Sequence, residues 1–319
     1  MHTAFEKEDI VIGVSACLIG ENVRFDGGSK PSNFCIHEFG QHVTYKSYCP
    51  EVAVGLPTPR PTIRQIKDGD ILKVSRPDGT GDVAQALQAY GKKVAEISKN
   101  LSGYIFCAKS PSCGMERVKV YTPEGNPLVA GGIGVFANEI MKANPLLPCE
   151  ENGRLNDAPL KENFVARVYT YRHWQALVES GITKHKLMDF HSQYKYTVMS
   201  HDLVAYKELG RLLARADLPV EEMADTYIKG LMTALAIKAT RKKHANTLAH
   251  IQGYFSKYLS PMQRKELCGH IDTYRKGLMP LMVPLTLINH YLLEHPNDYL
   301  AKQAYLNPYP EQLKLRYGY

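Results

Sequence analysis

The chain contains no apolar run near the roughly 18 residues needed to cross a bilayer, no paired Cys-x-x-Cys, and no complete Gly-x-Gly-x-x-Gly. The first absence excludes a membrane-spanning helix. The opening residues, MHTAFEKEDI, lack the basic and apolar regions of a secretory leader, so a cytoplasmic protein is expected. Seven cysteines in such a chain argue against a disulfide framework and leave buried thiols, a metal site, or both. GGIG at 131–134 lacks the full dinucleotide spacing; it is read as tight strand-to-helix packing, with no nicotinamide or flavin cofactor expected. No helix-turn-helix or RRM signature, internal repeat or low-complexity tract is present.

What is there divides unevenly. Residues 1–150 carry 16 Lys and Arg against 16 Asp and Glu, so the whole net charge of +7 lies in 151–319. Nine of the twelve histidines lie there too. Such asymmetry points to a polyanionic partner or to a solvated basic domain.

Pattern divides the chain at the same place. DIVIGVSA (9–16), HVTYKSY (42–48) and SGYIFCA (102–108) are apolar or β-branched runs and read as strands. Between them Val83, Leu87, Tyr90, Val94, Ile97 and Leu101 recur at helical spacing, and VFANEIMKAN after GGIG reads as another helix. Strands alternating with helices predict an α/β domain with a mostly parallel sheet, over 1–155. Residues 156–319 read as an all-α domain. Ser260-Pro261-Met262-Gln263 has the form of a capping box, and Leu203, Tyr206, Leu209, Leu212 and Leu213 share one face. The boundary is expected in the turn-rich segment 146–164.

Cys17, Cys49 and Cys113 each follow a predicted strand, in SACLIG, YCPE and SPSCG. Strand ends of one parallel sheet lie side by side, and ligands collect beyond them. Three distant cysteines can therefore meet, flanked by the small residues Ser15, Ala16, Gly20, Ser112 and Gly114. Three thiolates suit a 4Fe–4S cluster with one iron open, or zinc with water as its fourth ligand. Three unrelated buried thiols would give the same spacing.

VSACLIGENVRFDGG, YCPEVAVGLPTPR and AKSPSCG, in this order, resemble the thiouracil desulfidase family of 4Fe–4S enzymes, over residues 9–155. With its helical second half the chain is similar to the two-domain bacterial desulfidases that act on 4-thiouridine in tRNA. The resemblance implies a 4Fe–4S cluster on Cys17, Cys49 and Cys113 with one open iron. It also implies Glu51 as catalytic carboxylate and Ser110 as catalytic serine. Cys35, Cys107, Cys149 and Cys268 fall outside the implied ligand set and read as small buried hydrophobes.

The expected reaction is hydrolytic: thiouridine and water give uridine and hydrosulfide, with no electron consumed. Arg24, Asp26 and Arg60, on loops near the strand ends, are candidates for contact with a base edge or phosphate of the substrate, or else for structural ion pairs. Lys238, Arg241, Lys242 and Lys243 are candidates for RNA contact on one helix, and Lys184, Lys186 and Lys195 add charge among aromatic rings. His185 and His191 are not at metal-binding helical spacing. A tRNA substrate explains the basic half, and no obligate protein partner follows. Two alternatives stand: a desulfidase of free bases such as 2-thiouracil, and a non-catalytic cluster-bearing RNA sensor.

Overall fold

The computed structural model describes residues 5–316, which fall into two compact units, 5–156 and the residues from 157 onward. The first is α/β and the second is all helical.

Four strands make the main sheet: β1 (Val11–Ser15), β2 (Thr44–Tyr48), β5 (Gly103–Phe106) and β7 (Cys149–Glu151). Their order is β2-β1-β5-β7 and every pairing is parallel. β5 is buried along its whole length and β1 along all but its first residue, which is why both read as continuous apolar runs. The chain leaves β1 in one direction to build β2 and returns on the other side to build β5. The switch point, where open sheets of this kind bind ligands, therefore lies between β1 and β5.

Helices α2 (Ala84–Ile97) and α3 (Val135–Ala143) pack on one another, with Leu87, Val94, Phe136 and Ile140 inside. The predicted stripe on α2 stops short of its end, because Ile97 belongs to the last turn and is 61% exposed. A short helix, α1 (Pro50–Ala53), starts directly after β2.

A second sheet was not predicted. β3 (Arg64–Asp68) and β4 (Ile71–Ser75) form an antiparallel hairpin, and β6 (Val120–Tyr121) adds in parallel to β3. The turn is Gly69-Asp70, with Gly69 at φ 58°, a conformation that glycine adopts without strain.

The helical unit comprises α4 (Ala158–Glu179), α5 (Lys184–His201), α6 (Leu203–Ala214), α7 (Val220–Ala236), α8 (Arg241–Gln252), α9 (Pro261–Arg275), α10 (Met282–Glu294) and α11 (Asp298–Ala301). Side chains close many of its helix starts. Thr183 caps α5, Asp202 caps α6, and Ser260 with Gln263 forms the expected capping box on α9. On α6 the apolar face narrows to Leu209 and Leu213, while Leu203 is exposed. No helix among the described residues is long and apolar enough to cross a membrane.

Candidate functional site

Beyond the carboxyl ends of β1, β2 and β5 lies a pocket of about 240 Å³. Cys17 enters it from the turn Ala16–Ile19 that follows β1. Cys49 is the residue before α1, where Pro50 sets the first helical φ. Cys113 comes from the loop after β5. The three cysteines singled out in the sequence thus line one pocket, with Cys17 and Cys113 buried and Cys49 half-buried.

A fourth thiol joins them. Cys107, read as a residue of the third strand, lies just past its last residue, Phe106, and lines the same pocket. Its backbone N–H donates to Ser15 Oγ at 2.9 Å. The neighbouring Cys107 thiol, with burial and the other pocket sulfurs, holds Cys17 far above the ordinary thiol range. Cys107 is lowered to about 7 by the adjacent Cys17, helped by Lys30 and Arg24 against the cost of burial. Burial raises Cys113 and Cys49; the Ser15 hydroxyl on Cys113 and the Val52 N–H on Cys49 oppose it.

This donor set suits a cluster. Crowded buried thiols raise one another, so ionising them together calls for a cation among them. Among the described residues no three His, Cys, Asp or Glu side chains are arranged around a single metal ion. A cubane asks for something else, since each thiolate binds its own iron and the ligands stand a cluster's width apart.

Glu51 rises into the pocket from the first turn of α1. Its Oε2 accepts from Arg60 Nε at 3.0 Å and Nη2 at 2.7 Å. Its Oε1 accepts from Ser112 Oγ at 2.9 Å and, at the limit, from Ser110 Oγ at 3.5 Å. Ser110 Oγ in turn accepts the Ser112 and Cys113 N–H groups at 3.2 and 3.1 Å, which fixes the turn that carries Cys113. Ser112, noted in the sequence only as a small neighbour, makes the shorter contact to the carboxylate. The signal was the second serine of SPSCG.

Two further segments brace that loop. Gln65 Nε2 donates to the carbonyls of Pro111 (2.9 Å) and Ile133 (2.7 Å). GGIG is packing, as read: the Gly134 N–H donates to Gly114 O at 2.7 Å, and a Cβ on Gly134 would lie 2.4 Å from Ser112 O.

Of the proposed substrate contacts, Arg24 lines the pocket and pairs with Asp26 at 3.6 Å. Asp26 closes its own turn, accepting from the Gly28 N–H at 3.0 Å. Arg60 requires a correction. Its side chain is only 4% exposed, and beyond Glu51 it donates to the carbonyls of Val23 and Pro57 and to Thr58 Oγ1. It is the clamp on Glu51, with its guanidinium nitrogens engaged inside the protein.

The basic residues of the second unit also differ from expectation. Lys238 lies in the connection before α8, so the four do not share one helix. Arg241 and Lys242 are exposed in its first turn, where the helix dipole adds positive potential, while Lys243 donates to the His201 carbonyl. Lys184 and Lys186 are committed to the carbonyls of Arg215 and Ser180, each at 2.7 Å. A second basic group appears where α5 meets α6: Lys195, Lys207 and Arg211 line a groove of about 640 Å³ with Tyr206. Lys207 and Arg211, one helical turn apart on α6, were the signal for it.

Comparison with known proteins divides the chain similarly. Residues 12–152 match the family model described as 2-thiouracil desulfurase, and residues 195–310 the model described as a protein of unknown function (DUF1722). The uncharacterized protein YbgA of Escherichia coli (strain K12) is 30% identical over 159 residues, 49% of this chain and 94% of that protein. Among solved structures, the [4Fe-4S]-dependent thiouracil desulfidase TudS is 28% identical, with 47% of this chain and 95% of that one covered, at a TM-score of 0.36.

Proposed function

We propose that this chain, which belongs to the family of Escherichia coli YbgA, removes sulfur from a thiolated uracil by hydrolysis in the pocket of its first unit. The observation that carries the reading is the Glu51 carboxylate, held by Arg60 and two serines in a pocket that cysteines line. A 4Fe–4S cluster on Cys17, Cys49 and Cys113 would supply a soft, electrophilic iron that draws the departing sulfur away.

The chain's own groups handle the proton and the water. Arg60 occupies Oε2 and fixes the plane of the carboxylate, so Oε1 faces the serine side. There Glu51 accepts a proton from the water that attacks the thiocarbonyl carbon. The Ser112 and Ser110 hydroxyls orient that water and keep the carboxylate in place. Carbon gains oxygen, sulfur leaves as hydrosulfide, and no electrons are exchanged.

The substrate we favour carries phosphate. Arg24, Lys30 and Lys109 all border the pocket, and its carboxylate, Glu51, is already neutralised by Arg60. A phosphate beside the thiolated base suits that rim, and the exposed Arg241 and Lys242 and the Lys195–Lys207–Arg211 groove suit more of them. The reading is therefore 4-thiouridine in tRNA, with residues 1–155 doing the chemistry and 156–319 holding RNA. The free base is the second reading, favoured by a pocket whose 240 Å³ is the scale of a single small base.

The test pairs substrates with charge. Anaerobically reconstituted protein is given 4-thiouridine-containing tRNA and free 2-thiouracil, and hydrosulfide is measured from each. The tRNA reading expects RNA turnover that falls with salt and drops in the R241E/K242E variant while any turnover of the free base is spared. Turnover of the free base alone would discard the RNA substrate and keep the chemistry. RNA binding with no turnover of either would leave the sensor.

A further inference from the structure

Among the described residues that line the pocket, Phe25 is the large apolar side chain left exposed, at 40%. A lone apolar residue on a surface needs no explanation, but this one is held rigidly. Its turn is closed by the Gly27 N–H donating to Arg24 O at 3.0 Å and the Arg24 N–H to Gly28 O at 3.1 Å, with Gly27 at φ 79°. Both flanks of the ring are then fastened to Arg60. The Phe25 carbonyl accepts the Arg60 N–H at 2.8 Å, and the Val23 carbonyl accepts Arg60 Nη2 at 3.0 Å. The same guanidinium grips Glu51 at 2.7 Å. One residue therefore positions the carboxylate and the backbone that carries the ring. Arg24 rests over the phenyl group, 5.5 Å from its centroid. The other aromatic ring of the pocket, Tyr48, is already committed: its hydroxyl shares a hydrogen bond with Ser98 Oγ at 2.8 Å, and its ring stacks on Tyr104.

We propose that Phe25 is the platform on which the substrate's pyrimidine ring stacks, with the thiocarbonyl carbon on the Glu51 side. Flat bases stack on an aromatic face whatever their substituents, because every base has a π-face of its own. Val23, Ile63, Pro50 and Pro111 add apolar wall to the same pocket, as a flat and largely apolar ring requires. The placement of the sulfur rests on the thiolated-uracil reading, whereas the stacking asks only for a pyrimidine. Two consequences follow from that indifference. Phe25 holds the oxygenated product as it holds the substrate, so the sulfur-free base competes for the site. Preference for sulfur over oxygen then falls to the groups at the thiocarbonyl, not to the ring.

The experiment uses the full chain, reconstituted anaerobically, and reads KM and kcat separately on whichever thiolated base or nucleoside, free or in tRNA, it turns over. Phe25→Ala and Phe25→Leu are expected to raise KM by about 5- to 150-fold, the range for one base stacked on an aromatic ring, with kcat changed far less. Phe25→Tyr and Phe25→Trp are expected to restore KM. Uracil is expected to compete with substrate and to weaken as an inhibitor of Phe25→Ala in the same proportion. Phe25→Trp also gives a reading without turnover, because the chain's one tryptophan, Trp174, lies buried in the other unit. Uracil should quench the added emission saturably. An unchanged KM in Phe25→Ala, a Phe25→Leu variant as good as Phe25→Tyr, or added emission that uracil leaves unchanged would overturn the proposal. Saturable quenching in a protein that releases no hydrosulfide from any thiolated base would uphold the stacking and remove the hydrolysis reading alone.

Discussion

Each unit contains a buried Arg–Glu pair, and the two pairs have different consequences. Arg60 meets Glu51 at 2.7 Å with side chains 4% and 13% exposed, while Arg316 meets Glu162 at 2.9 Å with 10% and 11%. By distance and burial they are equivalent. The Glu51 carboxylate also receives two serine hydroxyls and borders a pocket with four thiols. Glu162 receives the Tyr309 hydroxyl, and Arg316 donates to the Tyr305 carbonyl, which ties the residues after α11 back to α4. A buried ion pair is costly to desolvate wherever it sits. What the neighbours do with it separates a chemical site from a structural tie.

Five substitutions sharpen or break that comparison. Glu51→Gln is expected to lower turnover by about 10²–10⁴, the usual worth of a positioned base, while leaving the iron content unchanged. Single-turnover kinetics beside iron analysis checks both halves. At the other pair, Arg316→Met strands a buried carboxylate and should cost about 3–5 kcal/mol of stability in chemical denaturation. Turnover per folded molecule should stay as it was; a turnover loss in this variant would blur the distinction between the pairs.

Ser112→Ala removes the 2.9 Å hydroxyl from Glu51 and should cost about ten- to a hundredfold in turnover, the scale of one hydrogen bond to a charged group. If Ser110→Ala costs far more than Ser112→Ala, the shorter contact is not the important one.

The smallest effect is in the helical unit. His191 is held down to about 4 by burial and by Lys195, and its Nδ1 is 3.2 Å from the Tyr227 hydroxyl. Between 6.5 and about 4 the unfolded chain binds the proton that the folded chain refuses. Stability should therefore decrease as the pH is lowered across that window and level off below it. His201 and His244, also lowered by burial, act in the same direction. His191→Gln should flatten the slope in part, and an unchanged slope would assign it to the other two.

Strands β1 and β5 were legible because strands buried on both faces read as uninterrupted apolar or β-branched runs, while the half-exposed edge strand β2 showed only through the β-prone Val43, Thr44, Tyr45 and Tyr48. The meeting of Cys17, Cys49 and Cys113 was legible because parallel strands end on the same side. The β3–β4 hairpin was missed although Gly69-Asp70 is a two-residue turn; its strands alternate weakly and carry charge at Arg64, Lys67 and Asp68. Cys107 was hidden because the expected strand 102–108 runs two residues past the observed end at Phe106: within the strand it would be a buried hydrophobe, and just beyond it Cys107 lines the pocket. Arg60 was placed in the right crevice, but only its nine-residue return to Glu51 shows that its donors are already engaged. On the basic side, sequence proximity grouped Lys238 with α8, and the helix starts only at Arg241.

The most direct test of the central claim is desulfuration under anaerobic conditions with no electron donor present. Reconstituted protein is supplied with 4-thiouridine, free or in tRNA, and with 2-thiouracil, beside a Cys113→Ala control. The account predicts hydrosulfide and the oxygenated pyrimidine in equal amounts, with both lost in the control. Sulfur release that requires a reductant, or that persists at full rate in Cys113→Ala, would contradict it.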